Sequence, residues 1–171
     1  MTLETERLTL RPMTPADFGD IYQLFSDPQV MAAFQSEPLN KQQAQKWLDR
    51  NLKHQKEHGY SLFAAVHKVD CAVIGNCGLT HYEIDGKHEL EIGYDLHSSY
   101  WGRGLATEAA TAVRNYAFNI LKQPRLIGLA RQTNAASMRV LEKIGMHREK
   151  DLTLSGVNYW LYAIENLNAS P

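Results

Sequence analysis

The sequence lacks most of the features that mark secreted, membrane-spanning or metal-stapled proteins. It has two cysteines in 171 residues, Cys71 and Cys77, without a CxxC pair or a neighbouring pair of histidines. We therefore expect reduced, partly buried thiols in a cytoplasmic protein, with neither a disulfide nor a cysteine-based metal site. No apolar run approaches the roughly 18 residues of a membrane span, and no basic and then apolar leader is present, so we expect no membrane partner.

An excess of charge of one sign is also missing. The 18 Lys and Arg residues nearly balance the 19 Asp and Glu residues, which leaves a formal net charge of −1. Without a basic run, nucleic acid is not an expected partner. The histidines show no metal-ligand spacing on a common helix face, so we predict no metal site. We interpret all seven as surface or packing residues: His54, His58, His67, His81, His88, His97 and His147.

Hydrophobic periodicity predicts a mixed α/β domain with the element order β-α-α-β-β-β-α-β-α-β-β. Its strands are predicted at 8–11, 60–67, 72–80, 88–97, 126–130, 147–154 and 157–165. Its helices are predicted to run from Pro15 to a break at Asp27-Pro28, from an Asn40 cap to Gly59, from about Gly104 to Leu121, and from Asn134 to Gly145. The strand-helix-strand unit at 88–131 favours a parallel pair at the centre. We expect one domain over residues 1–171, as a monomer or a homodimer.

Residues 100–108, Tyr-Trp-Gly-Arg-Gly-Leu-Ala-Thr-Glu, are the most informative segment. Gly102 and Gly104 stand between a strand pattern and a helix pattern, where the backbone can approach a ligand and the first helical N–H groups are unpaired. That arrangement favours an anion such as a pyrophosphate, although a plain tight turn has the same pattern. Thr107 stands where a dinucleotide fingerprint needs a third glycine, and no Gly-Lys-Ser/Thr follows, which excludes a P-loop.

Four segments in a fixed order carry a resemblance to a known family. They are Glu-Arg-Leu-Thr-Leu-Arg-Pro at 6–12, Asp-Pro at 27–28, the strand and loop at 91–94 and 101–109, and the Asn-Ala-Ala-Ser segment that begins at 134 and continues to 146. The chain resembles the GNAT superfamily of acetyl-CoA-dependent N-acetyltransferases over nearly its full length. Within it, the chain resembles the Rim-type branch, which acetylates the N-termini of ribosomal proteins. The resemblance implies the GNAT fold, with a mixed sheet of six to seven strands flanked by about four helices.

The resemblance also implies acetyl-CoA as cosubstrate, with no metal. The pyrophosphate would be held by backbone N–H groups of Gly102, Arg103, Gly104, Leu105, Ala106 and Thr107. The pantetheine arm would pair with main-chain groups of Tyr94, Asp95 and Leu96. Gly93 would supply a bulge that opens the sheet. Trp101 replaces the superfamily's usual Gln or Arg, as is common in the Rim-type branch, and Asn134 would cap its helix, contact the cofactor, or do both.

A carboxylate on the strand at 89–96 is the candidate general base. Alternation places Glu89, Glu91 and Asp95 on one face of that strand, opposite an apolar face. A solvated side of an edge strand would show the same pattern. An attacking amine with a pKa near 8 is mostly protonated at neutral pH, so a nearby carboxylate has to remove a proton. Glu91 aligns with the position that the family often uses and is the first choice, with Glu89 second.

The leaving coenzyme A thiolate gains from a proton donor. Many members of the superfamily supply a tyrosine seven residues after the motif asparagine, but this chain has Leu141 there. Ser137 is the predicted replacement, and it also fits a purely local role at the start of a helix. Both roles stay open for it at this point.

The sequence therefore predicts an acetyltransferase that works by direct attack in a ternary complex, since no nucleophilic cysteine, histidine and acid set is evident. By resemblance, the acceptor is the N-terminal amine of a ribosomal or other protein. A small amine, such as a polyamine, amino acid or aminoglycoside, is one alternative, and a coenzyme A-binding sensor without catalysis is another. An acidic group would favour a cationic acceptor: Glu83, Asp85, Glu89, Glu91 and Asp95.

Overall fold

One mixed sheet organises residues 1–167, which the computed structural model describes. Its eight strands are β1 (Leu3–Glu4), β2 (Leu8–Arg11), β3 (Leu62–His67), β4 (Ala72–Ile84), β5 (Lys87–Leu96), β6 (Arg125–Arg131), β7 (His147–Leu154) and β8 (Val157–Glu165). Their spatial order is β1-β2-β3-β4-β5-β6-β8-β7. The helices are α1 (Phe18–Ser26), α2 (Pro28–Ala33), α3 (Lys41–His58), α4 (Leu105–Asn119) and α5 (Ala135–Lys143). This is the predicted α/β class and fold.

The structure has one strand and one helix more than the sequence predicts. The strand β1 is two residues long, too short to show any alternation. The helix α2 begins at the predicted break, because Asp27 accepts a hydrogen bond from Gln29 N at 2.8 Å and so caps a new helix. Pro28 fits its first position, where a missing N–H costs nothing and φ is already helical.

The centre of the sheet is a parallel pair, as predicted, formed by β5 and β6 with Glu91 opposite Ile127. β5 lies between β4 and β6, so its interpretation as an edge strand is wrong. On the β4 side no bulge occurs at Gly93, because β4 and β5 keep one register from Gly75–Leu96 to Ile84–Lys87 and place Gly93 opposite Gly78. On the other side, the pairing of β5 with β6 is confined to Glu91 and Ile127 and does not continue to Gly93.

The two faces of the sheet bury different sets of helices. Buried side chains of β5, including Ile92, share a core cluster with α4, whose Ala109, Ala110 and Ala117 are fully buried and allow the close approach that the sequence predicts. The other cluster joins α1, α2 and α3 to β3 through residues such as Leu48 and Ala64. Each fully buried aliphatic side chain contributes about 1.5–3 kcal/mol of transfer free energy. Within residues 1–167, no helix combines the length and apolar character needed to cross a membrane.

A substitution at Gly78 tests how closely β3 and β4 approach each other. A Cβ at this position would overlap the Ser61 carbonyl and the Leu62 Cα, both backbone atoms that cannot rotate away. We expect Gly78→Ala to lower the free energy of unfolding by about 1–3 kcal/mol, as overpacking does. Urea unfolding followed by circular dichroism measures this change.

Gly19→Ala is the matched control, because a Cβ there meets nothing within 4 Å and the residue lies in α1. We expect it to stabilise the protein by about 0.4–1 kcal/mol through the unfolded state. Wild-type stability in Gly78→Ala would contradict the close approach of the two strands.

Candidate active site

The loop that precedes α4 has the conformation of an anion site. Gly102 and Gly104 adopt left-handed φ values of 73° and 76°. Gly104 is the N-cap of α4 and has no side chain with which to satisfy the amides of the first turn. Residues 101–104 are exposed, so these N–H groups and the positive end of the helix dipole are open to a ligand.

A clamp from the start of the chain fixes this loop. Arg7 donates hydrogen bonds to Glu108 from its backbone N and from Nε, both at 2.7 Å, and its Nη1 donates to the Arg103 carbonyl at 2.9 Å. Thr5 Oγ1 donates to the same carboxylate at 2.6 Å. Glu108 lies in the first turn of α4, where its charge would repel an anion, and Arg7 offsets that charge. Sequence reasoning missed this contact, although both residues belong to motifs that carry the family resemblance.

The predicted loop residues divide into exposed groups and core anchors. Leu105 and Leu96 are 1% and 6% exposed, and their side chains belong to the core cluster. Trp101 is 48% exposed, and its Nε1 donates to the Leu96 carbonyl at 2.8 Å, which ties the loop to the end of β5. The Arg103 guanidinium lies over the Tyr100 ring, 5.2 Å from the ring centre. Ala106 and Thr107 follow in the first turn of α4, partly buried.

Glu91 lies where β5 meets β6 at the centre of the sheet. Its Oε2 accepts a hydrogen bond from Thr80 Oγ1 on β4 at 3.2 Å. Burial raises the pKa of Glu91 to about 7, against the opposing effect of the Thr80 hydrogen bond, and the nearby charge of Asp95 raises it further. Sequence reasoning did not single out Thr80, because a cross-strand partner is visible only once the register is known.

The other two carboxylates of this face differ from Glu91. Burial raises the pKa of Asp95 to about 6. Glu89 accepts a hydrogen bond from Arg125 Nε at 3.2 Å, and the same guanidinium also binds Glu149 and Glu165. Glu89 is therefore held in an ion pair, which makes it a weaker candidate base than Glu91.

At the start of α5, the backbone and the hydroxyl of Ser137 make different contacts, one for each of the two roles considered above. Asn134 caps the helix by accepting a hydrogen bond from the Ser137 backbone N at 3.0 Å, while Ser137 Oγ lies 3.1 Å from the Tyr94 hydroxyl. The Tyr94 hydroxyl also donates to the Ser137 carbonyl at 2.9 Å. Burial raises the pKa of Tyr94, so this phenol keeps its proton. Leu141 is 1% exposed and belongs to the core.

The strand β5 therefore presents two kinds of chemistry on opposite faces. Glu91 and Asp95 occupy one face, and Tyr94, which alternates with them, reaches Ser137 from the other. Burial raises the pKa of the nearby Cys77 thiol far above neutrality, and a thiol that keeps its proton is a poor nucleophile. Glu91 is therefore a candidate proton acceptor, and the Tyr94–Ser137 pair is a candidate proton donor.

Comparison with known proteins shows which family the chain is similar to. Residues 7–147 match the family described as acetyltransferase (GNAT) domain. The uncharacterized protein YkkB of Bacillus subtilis is 37% identical over 151 residues, which cover 88% of this chain and 87% of that protein.

Two solved structures show the same fold at low sequence identity. Ribosomal-protein-S5-alanine acetyltransferase of Vibrio fischeri has a TM-score of 0.79 with 22% identity, over 100% of both chains. Spermidine N-acetyltransferase of Vibrio cholerae, in complex with CoA and spermine, has a TM-score of 0.74 with 20% identity, over 94% of this chain and 96% of that one. The chain belongs to the GNAT family of acetyltransferase enzymes, whose acetyl donor is acetyl-CoA.

Proposed function

We propose that this acetyltransferase is of the Rim type and acetylates the N-terminal amine of a protein by direct attack in a ternary complex. The observation that carries the proposal is the Glu91 carboxylate at the centre of the sheet, whose pKa is raised to about 7. Glu91 takes the proton of the attacking ammonium, directly or through a water. Ser137 and Tyr94, whose hydroxyls lie 3.1 Å apart, supply the proton for the departing thiolate in this proposal.

The raised pKa of Glu91 lowers the cost of deprotonating any acceptor amine, and an N-terminal amine is the easier of the two acceptor types to deprotonate because its own pKa is lower. A protein α-amine has a pKa of about 8, whereas a lysine-like amine has one of about 10.4. Transfer of a proton to a base of pKa about 7 is therefore uphill by about 1 pKa unit for the first and by more than 3 for the second. Each unit corresponds to about 1.4 kcal/mol, so the N-terminal amine is deprotonated far more readily.

The ion pairs around the site also argue against a polycation. Asp85 accepts a hydrogen bond from Lys150 Nζ at 2.6 Å, and Glu89 is paired with Arg125. Two members of the acidic group that the sequence suggested for attracting cations are thus already neutralised. Burial favours the protonated forms of Glu91 and Asp95. A single amine fits this environment better than a polyamine with several charges.

The chain's own groups suit coenzyme A. The amides of Gly102 to Thr107 would hold the pyrophosphate, with Arg103 beside them. Main-chain groups of Tyr94, Asp95 and Leu96 would face the pantetheine, although the Leu96 carbonyl already accepts from Trp101. Asn134 holds the start of α5, and through it Ser137, in position.

The first test compares acceptors at a fixed acetyl-CoA concentration, with thiol release as the readout. N-terminal peptides should give higher kcat/KM than spermidine, free amino acids or aminoglycosides. Glu91→Gln should lower kcat by about 100- to 10,000-fold, the range for a general base, without changing the calorimetric affinity for acetyl-CoA.

Glu83→Gln is the matched control, because Glu83 is an exposed carboxylate on the neighbouring strand β4. It should retain wild-type turnover. Faster acetylation of a polyamine would contradict the acceptor proposed here and leave the enzyme class intact. Wild-type turnover in Glu91→Gln would contradict the assigned base.

The pH profile of kcat/KM tests the environment of Glu91. Asp95→Asn removes a negative charge that raises the pKa of Glu91, so the acid limb should move to lower pH. Thr80→Val removes a hydrogen bond that lowers the same pKa, so the limb should move to higher pH. The wild type and the two variants are compared with the same acceptor, so the ionisation of that acceptor affects all three pH profiles equally. Shifts of the same sign in both variants would contradict Glu91 as the titrating base.

The proton donor is tested by Ser137→Ala, Tyr94→Phe and the double variant. Each single change should lower kcat by up to about 100-fold, the lower end for general acid catalysis, because a thiolate is already a good leaving group. The two effects should be non-additive, since the hydroxyls lie 3.1 Å apart. Wild-type kcat in both single variants would place the donor elsewhere.

A further inference from the structure

Three histidines converge where the C-terminal end of α3 meets β4. His54 and His58 lie one turn apart on α3, and His81 approaches them from β4. One ring nitrogen of each lies within 4.8 Å of the other two. Ring centres are 4.4 Å apart for His54–His58 and His58–His81, and 5.3 Å apart for His54–His81. The prediction that no histidines share a helix face at metal-ligand spacing is wrong for His54 and His58, and only the fold reveals the third.

We propose that His54, His58 and His81 form a binding site for a first-row divalent transition-metal cation such as Zn²⁺. His81 adjoins Thr80, the partner of Glu91, but alternation along β4 directs the two side chains to opposite faces of the sheet, so the three histidines lie on the face opposite Glu91. A cation bound here joins the last turn of α3 to β4.

The hydrogen bonds of His54 hold its ring in the tautomer that a metal needs. Its Nδ1 lies 2.9 Å from the Tyr60 carbonyl, which can only accept, so Nδ1 carries the proton. Its Nε2 accepts a long hydrogen bond, 3.3 Å, from the His81 backbone N. A ring that donates Nδ1–H to a backbone carbonyl and keeps a lone pair on Nε2 is the usual outer support of a metal-bound histidine. The cation would replace the weak contact with the His81 amide.

Tyr60 supports a second ligand of the same site. Its hydroxyl lies 2.9 Å from His81 Nε2, which orients that ring and leaves Nδ1 as a possible ligand atom. Partial desolvation by the surrounding groups lowers the pKa of both His54 and His81, and the nearby charge of His58 lowers both further. Neutral imidazole is the form that binds a metal.

The geometry and the electrostatics of the site suit a divalent transition-metal cation. A zinc–nitrogen bond of about 2.0–2.1 Å in a tetrahedral site places ligand nitrogens about 3.4 Å apart. Small ring rotations reach that spacing, because His58 and His81 are exposed. Imidazole favours zinc, nickel and copper over magnesium or calcium. His58 ends α3, where the negative end of the helix dipole adds further attraction for a cation. The fourth coordination position would face the exposed side of the three-histidine site and be taken by water.

The test uses the full chain without an affinity tag, stripped with EDTA, and titrated with Zn²⁺ by calorimetry and with Co²⁺ by visible spectroscopy. We expect one cation per chain, a ligand-field spectrum for bound Co²⁺, and a rise in the midpoint of thermal unfolding with Zn²⁺. Loss of an outer-shell partner alone weakens metal binding by about 10- to 100-fold. Because His58 and His81 are proposed ligands, His58→Ala and His81→Ala should each weaken binding by at least that factor.

His147→Ala is the matched control, since His147 is exposed on β7 and outside the cluster. It should bind the cation with wild-type affinity. His58 lies on the exposed side of α3, so His58→Ala carries the test even if His81→Ala fails to fold, and the far-UV spectrum in EDTA checks both. Equal binding in the wild type and both cluster variants would place the cation elsewhere, for example on the exposed Cys71 thiol, and would overturn the proposal. Absence of binding in the wild type would overturn it as well.

Discussion

The parallel pairing of β5 with β6 determines where the other parts of the site can lie. Parallel neighbours cannot be joined by a tight turn, so the chain crosses over through α4. The crossover places the N-terminus of α4 directly beyond the carboxyl end of β5, and the left-handed Gly102 and Gly104 make the turn. Free amides and the positive end of a helix dipole thus come to lie beside Tyr94 and Asp95 as a consequence of topology. The clamp of Arg7 on Glu108 then fixes the loop.

The same topology places ionisable groups at the centre of the sheet, which has a cost in stability. Glu91 and Asp95 have pKa values of about 7 and about 6 in the folded protein, above the ordinary values of 4.5 and 3.8. The folded state therefore holds protons that the unfolded state has released, and the free energy of unfolding falls as pH rises through that interval. A carboxylate that destabilises the fold and supports no ion pair is expected at a functional site.

Periodic segments of the sequence were predicted well because each has one buried face. The boundaries of β7 and β8 match the prediction, and α3 and α4 do so closely, since Asn40 and Gly104 mark their starts. The elements that were missed are β1 and α2, which are too short for a period to show. Backbone details that depend on a neighbour were also missed, such as the regular register at Gly93.

The residues of the candidate site followed the same division. Glu91 and the glycine loop could be found because alternation and the family resemblance both point to them. The partners that give them their properties could not be found, because Thr80 is separated from Glu91 by a hairpin, and Arg7 from Glu108 by most of the chain. The approach of His81 to His54 and His58 depends in the same way on how α3 lies against β4.

The two faces of β5 constrain where the two substrates of the proposed reaction can lie. Glu91, the proposed base, lies on the face opposite the one from which Tyr94 reaches Ser137. A thioester that is attacked from the side of Glu91 and releases its thiolate toward Ser137 would have to lie at the level of the sheet, on the β6 side of β5, where the pairing is confined to Glu91 and Ile127. The amine and coenzyme A would then approach from different faces, so neither blocks the other. That geometry suits a ternary complex and makes a covalent enzyme intermediate unnecessary, since the two reactants can meet directly.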